Sequence, residues 1–89
     1  MATLYFTDNL NRHLQTSSAK AQGQTVAEVL EHYFSDHPQM RGYILDDQGQ
    51  LRKHVAIYVN RSLVYDRIRL AEPVANDDEI YIMQALSGG

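Results

Sequence analysis

Cysteine and tryptophan are absent from this chain of 89 residues, and proline occurs only twice. Without a thiol there is no disulfide framework, no zinc–thiolate site and no cysteine nucleophile. Eight Lys and Arg face eleven Asp and Glu, a formal net charge of −3. The cations are thinly spread and form no basic stripe, which argues against nucleic acid or an anionic membrane as a partner. No apolar run approaches membrane-spanning length and no charged-then-apolar leader opens the chain, so a soluble cytoplasmic protein with an unprocessed start is expected. His13, His32, His37 and His54 lack metal-ligand spacing. Asp46-Asp47 and Asp77-Asp78-Glu79 stand where turns are wanted and read as solvated turns, not as acid–base pairs. No phosphate-cradling Gly-rich loop and no Ser-His-Asp arrangement is evident. The chain is expected to have no active site of its own.

What is present is one small core. Hydrophobic residues make up 44% of the chain, enough for a single domain and too few for two. Thr3 to Thr7 alternates as a strand, with Leu4 and Phe6 on one face, and Asp8 to Asn11 is turn chemistry. Arg12 to Ser17 predicts a polar edge strand pairing with the first, and Ser18 to Gln24 a loop. Thr25 with Glu28 forms a capping box, and Val26, Val29, Leu30, Tyr33 and Phe34 fall on one helical face that points to the core. Pro38 ends that helix, with Ser35 to His37 as its last, frayed turn.

Gly42 to Leu45 predicts a short extended piece and Asp46 to Gly49 a turn. His54 to Val59 is a strand with Val55, Ile57 and Val59 on one face and Ala56 and Tyr58 on the other. Leu63 to Tyr65 predicts a short partner strand, and Asp66 to Val74 an irregular stretch whose Leu70 and Val74 plug the core. Asn76 to Asp78 is a turn, and Glu79 to Ala85 the last strand, with Ile80 and Ile82 inward and Tyr81 and Met83 outward. One main helix over a mixed sheet of four to five strands is an α+β, ubiquitin-like β-grasp arrangement, taken here as residues 1–85 with a flexible tail at 86–89.

The run from Gly42 through Asn60, the stretch Asp78 to Ile82 and the end Gly88-Gly89 resemble the MoaD/ThiS family of sulfur carriers over nearly the whole chain. The extended segment between helix and third main strand is similar to the longer, MoaD-like branch, which includes molybdopterin synthase small subunits and a carrier used in cysteine synthesis. Where the family usually has Gly-Asp before the last strand, this chain has Asp77-Asp78. Aspartate tolerates left-handed backbone, so the turn is expected to survive at a small cost. Gln84 to Ser87 likewise departs from the usual proline and small-residue approach to the diglycine.

The resemblance implies a carrier or co-substrate, not an enzyme. It binds no cofactor. An E1-like adenylyltransferase of the MoeB/ThiF type would use ATP to adenylate the Gly89 carboxylate. A sulfur donor such as a rhodanese or cysteine desulfurase would then displace AMP to leave a thiocarboxylate. The acceptor would be a synthase, either a molybdopterin synthase large subunit or a cysteine-synthase-type or thiamine-type enzyme. Leu86, Ser87 and Gly88 would be read by the activating cleft, where any Cβ near the end would collide with the walls. Two alternatives stay open: a protein modifier that forms isopeptide bonds through Gly89, and a β-grasp binding subunit with an idle diglycine.

Ordering four or five tail residues loses about 5–10 kcal/mol of backbone entropy, which a second contact must offset. In a β-grasp sheet the first, last and third strands lie side by side. Tyr5, Tyr58, Tyr81 and Met83 are therefore expected to form one apolar patch opposite the helix, suited to docking partner enzymes.

Overall fold

Alternation of apolar and polar side chains sets the first element. In the computed structural model, which describes residues 1–6 and 18–84, β1 (Ala2–Phe6) buries Ala2, Leu4 and Phe6 and turns Thr3 and Tyr5 to the other side. The strand predicted at 12–17 and the tail at 86–89 lie outside the described residues. Strand β2 (Ser18–Ala21) instead occupies part of the stretch predicted as a loop, antiparallel to β1. Its small side chains explain both facts. Ala21 is buried opposite Ala2, and Ala19 packs on the core opposite Leu4, so alanine alternation suffices beneath the helix.

Helix α1 (Val26–Asp36) buries the predicted stripe Val26, Val29, Leu30, Tyr33 and Phe34. Its first turn leaves N–H groups with no intrahelical acceptor, and each has a partner here. Thr25 Oγ1 accepts from Glu28 N–H at 3.2 Å, while Val26 and Ala27 donate to the Glu72 and Leu70 carbonyls at 3.0 and 2.9 Å. The Glu28 carboxylate reaches back to Gln24 N–H at 2.8 Å, one residue earlier than a reciprocal capping box requires. Gly23 lies against this turn. A Cβ there would come within 2.5 Å of the Val29 nitrogen and 2.8 Å of the Glu28 carbonyl carbon.

Pro38 does end α1, yet the chain stays helical beyond it. A 3₁₀ turn (Pro38–Met40) runs into a single-turn helix α2 (Arg41–Ile44), where an extended piece was expected. Met40 and Ile44, four apart, are both fully buried, a spacing that one face of a helical backbone carries to the core. Leu45 alone is extended, bridging to Leu51.

Strands β3 (Val55–Val59) and β4 (Ser62–Leu63) form a hairpin through Asn60-Arg61, with Asn60 in the left-handed region at φ 55°. The partner strand therefore lies slightly earlier than its predicted 63–65. Val64 still donates to the Ile57 carbonyl at 2.8 Å and is buried, but Tyr65 turns out to 80% exposure. Leu70 and Val74 enter the core as expected. Leu70 adopts φ 53°, a costly geometry for leucine, and Asp66 maintains it. The Asp66 carboxylate accepts the N–H groups of Arg69, Ile68 and Ala71 at 2.9, 3.3 and 3.3 Å, and its carbonyl accepts Leu70 N–H at 3.2 Å. Those N–H groups, that of Arg69 foremost, hold the Asp66 carboxyl below the usual carboxylate range.

Strand β5 (Glu79–Gln84) closes the sheet in the order β2-β1-β5-β3-β4, parallel to β1 and antiparallel to β3. The Asp77-Asp78 turn needs no left-handed residue, since neither aspartate has positive φ. Asp78 closes it by accepting Ala75 N–H at 2.8 Å on its carboxylate and donating its own N–H to the Ala75 carbonyl at 3.1 Å. The inner face carries Leu4, Phe6, Val55, Ile57, Ile80 and Ile82 beneath α1. Tyr33 stacks on His37 at 4.6 Å and packs on Phe6, and burial pushes its phenol up to about 12. A mixed five-stranded sheet under one dominant helix is a ubiquitin-like β-grasp fold. No helix among the described residues is long and apolar enough to cross a membrane.

Replacing Gly23 with alanine forces backbone apart at the start of α1 and should destabilise the fold by about 1–3 kcal/mol in urea unfolding. Asp66→Ala should lower the melting temperature at neutral pH. A carboxyl whose folded pKa is depressed contributes stability above its unfolded pKa and loses it as pH falls through the folded value. The difference between Asp66→Ala and the parent should therefore shrink as pH drops below about 4. A constant gap down to pH 2 would show that the carboxylate charge is not what holds the loop.

Candidate functional site

The outer sheet face is built by three strands whose registers coincide. Tyr5 pairs with Tyr81 across the parallel β1–β5 ladder, and Tyr81 pairs with Tyr58 across the antiparallel β5–β3 ladder. Leu63 on β4 extends the row opposite Tyr58. Each of these residues faces away from α1, because its strand neighbours Leu4, Phe6, Ile57, Ile80 and Ile82 are buried beneath that helix. Met83 stands one pleat further along β5, opposite Ala56, and is 43% exposed. The structure thus brings Tyr5, Tyr58, Tyr81 and Met83 together on one face. Tyr5 and Tyr81 stack with ring centroids 5.1 Å apart and planes 17° from parallel. Between Tyr58, Asn60, Tyr81 and Met83 lies a shallow hollow of about 260 Å³, and a smaller one of about 110 Å³ opens beside Tyr5, Tyr81 and Met83.

Electrostatics bound this face on one side. Glu79, two residues before Tyr81 and therefore on the same face, accepts the Tyr81 phenol on Oε1 at 3.0 Å and the Tyr5 phenol on Oε2 at 3.4 Å. The bond to Glu79, followed by burial and the carboxylate's charge, raises the Tyr81 pKa above its ordinary value. Asn60 fixes where Glu79 stands. Its side chain accepts Glu79 N–H at 3.0 Å and donates to Asp78 Oδ1 at 3.0 Å, while its backbone N–H donates to the Glu79 carbonyl at 2.6 Å.

Glu79, Asn60 and Leu63 are the members of this surface that sequence reasoning missed. Asn60 reads as a turn residue, and its place beside the face follows from the β3–β5 pairing, while Glu79 stands both in the acidic turn and at the start of the predicted last strand. The i, i+2 spacing of Glu79 and Tyr81 on a predicted strand was the available signal. Gln84, the last described residue, sits on the central strand opposite Val55. Leu86, Ser87, Gly88 and Gly89 lie outside the described residues. No group of three or more His, Cys, Asp or Glu among the described residues is placed to hold a metal ion.

Residues 5–89 match the ThiS family, and the chain belongs to that family. No curated protein sequence matches it. A chain of the Amycolatopsis orientalis BexX/CysO complex superimposes with a TM-score of 0.87 at 26% identity, covering 100% of both chains. Mycobacterium tuberculosis CysO gives 0.84 at 26% identity over 97% of this chain and 100% of that one. SAMP1 from Haloferax volcanii shares the fold, with a TM-score of 0.80 at 22% identity over 99% and 98%. The chain is therefore a ubiquitin-like β-grasp protein of the ThiS-type sulfur-carrier family, whose members are small carriers and not enzymes.

If the Glu79 hydrogen bond is the main cause of the raised Tyr81 pKa, Glu79→Gln should bring the Tyr81 phenol down toward its usual value. Titration of the Tyr81 ring carbon by NMR reads this directly. An unchanged titration would assign the shift to burial instead.

Proposed function

We propose that this member of the ThiS family is a sulfur carrier charged at Gly89. The Gly89 carboxylate attacks the α-phosphorus of ATP in the cleft of an E1-like adenylyltransferase, releasing pyrophosphate and forming an acyl adenylate. Sulfide then attacks the acyl carbon and AMP leaves, giving the thiocarboxylate. Where the donor is a protein persulfide, the same attack gives an acyl disulfide, and a second thiol cleaves its S–S bond to release the thiocarboxylate and form a disulfide with the donor. The chain supplies the carboxylate, the side-chain-free approach of Gly88 and Gly89, recognition through Leu86 and Ser87, and a surface by which the enzyme holds it. Residues 1–85 act as the docking body and 86–89 as the reacting tail. The observation that best supports this reading is the central, parallel placement of β5: the strand that leads to the tail also carries Tyr81 and Met83 in the middle of an apolar face.

The finer placement, in the longer MoaD-like branch, draws support from the segment 41–51, which inserts α2 and the Leu45–Leu51 bridge between helix and β3. The acceptor is then a synthase, either a molybdopterin synthase large subunit or a cysteine-synthase-type enzyme.

Incubation with an E1-like adenylyltransferase, ATP and a sulfur donor should exchange one carboxylate oxygen for sulfur, read by intact mass. Removing Gly89 should abolish charging while the circular dichroism and melting temperature stay those of the parent. Met83→Asp should raise the KM for the carrier at least about tenfold, since it places a charge in a desolvated apolar contact. Lysine-linked adducts in cells would favour a protein modifier, and no mass change with any such enzyme would leave only a binding subunit.

A further inference from the structure

Among the described residues, no cation forms an ion pair with the carboxylate on the aromatic face. Glu79 is exposed, and among the described residues the single ion pair is Arg41–Glu31, which joins α2 to α1. Lys20 shares the Glu79 row only through Thr3. Arg61, between β3 and β4, lies near enough for its charge to act on the Tyr81 phenol, yet it forms no ion pair with Glu79. Of the adjacent acids, Asp78 is taken up by Asn60 and Ala75, and Asp77 belongs to the turn itself. Glu79 alone aims its charge along the tyrosines.

Its bonding leaves room for more. A carboxylate has about four lone-pair positions, and the two phenols occupy one on each oxygen. The open positions lie beside the stacked Tyr5–Tyr81 rings. A guanidinium suits such a site better than an ammonium does. It donates several N–H groups in one plane, it is weakly hydrated, and it stacks on aromatic rings. The phenol bonds also fix two rings that would otherwise lose freedom on docking, so part of the ordering cost is met in the free protein.

We infer that the partner docking on this face presents an arginine to Glu79, beside an apolar side chain seated in the hollow of Tyr58, Tyr81 and Met83. Glu79 is the positioning residue that takes the guanidinium and holds Tyr5 and Tyr81 for contact. This rests on the docking role proposed above, and the test separates the two.

The probe is an E1-like adenylyltransferase that charges ThiS-type carriers, supplied with ATP and sulfide, with thiocarboxylate read by intact mass at varied carrier concentration. Glu79→Gln should raise KM about tenfold and Glu79→Lys about a hundredfold, with kcat changed by less than about twofold. Added salt should raise the parent KM and leave that of Glu79→Gln nearly unmoved. The Tyr5→Phe, Tyr81→Phe double variant should raise KM about threefold. Melting temperatures, checked first, should match the parent, since Glu79 is exposed. If Met83→Asp impairs charging but Glu79→Gln and Glu79→Lys do not, the arginine contact is wrong and the docking face stands. If Met83→Asp charges like the parent, the docking face falls and this inference with it. A loss confined to kcat would also overturn it.

Discussion

The parallel pairing of β1 with β5, in register from Thr3–Glu79 to Phe6–Ile82, is the contact on which the two faces of the sheet depend. On the inner side it sets Leu4 beside Ile80 and Phe6 beside Ile82, the floor on which the α1 stripe rests. On the outer side the same ladder sets Tyr5 beside Tyr81. Side chains alternate with a period of two, so a slip by one residue would carry tyrosines inward and leucine and isoleucine outward. The register that gives the core its burial is therefore the one that assembles the aromatic row. Core and surface cannot vary independently along these strands.

The irregular stretches are as constrained as the strands. Asp66 folds residues 66–71 around its own carboxylate, which sends Leu70 into the core and aims the Leu70 carbonyl at Ala27 N–H. Two residues on, the Glu72 carbonyl takes Val26 N–H, so this loop completes the cap of a helix forty residues earlier in the chain. Gly23 permits that approach from the other side, because only a residue without Cβ fits against the first turn. At the other end of the sheet Asn60 couples the β3–β4 turn to the start of β5 through three hydrogen bonds. The Asp78 carboxyl is held low by Ala75 N–H and by Asn60, so this clamp carries its charge at neutral pH. Glu79 stands where it does because backbone on both sides of it is tied down.

These couplings mark the limit of what could be read from residue order. The α1 stripe and the alternation in β1, β3 and β5 were legible because each buries large side chains at a fixed period. The patch residues Tyr5, Tyr58, Tyr81 and Met83 could be placed together because alternation assigns them a face and the β-grasp order assigns them neighbours. Strand β2 was missed since alanine burial carries little hydrophobic signal. Residues 42–45 read as extended because Tyr43 and Ile44 favour strands, whereas the helical course there continues the 3₁₀ turn that begins outside the window at Pro38. Nothing local announces that Gly23 touches a helix turn or that Asp66 serves a distant cap. Both are tertiary contacts, and propensity yields to them.

On the proposed reading as a carrier charged at Gly89, the aromatic face answers an energetic requirement. Threading four or five residues into a cleft loses about 5–10 kcal/mol, and at about 25 cal/mol per Å² that loss is offset by burying roughly 200–400 Å² of apolar surface. A single hollow among Tyr58, Tyr81 and Met83 is too small for this, but the continuous row Tyr5–Tyr81–Tyr58–Leu63 with Met83 spans four of the five strands. Apolar area of this kind holds a partner without choosing one. On the proposed reading, choice comes from a group whose burial is unfavourable unless matched, and the Glu79 carboxylate, bonded to two phenols of the row, is such a group. A partner without a cation at that point would strand a desolvated carboxylate, and the penalty for doing so falls on the wrong partner alone.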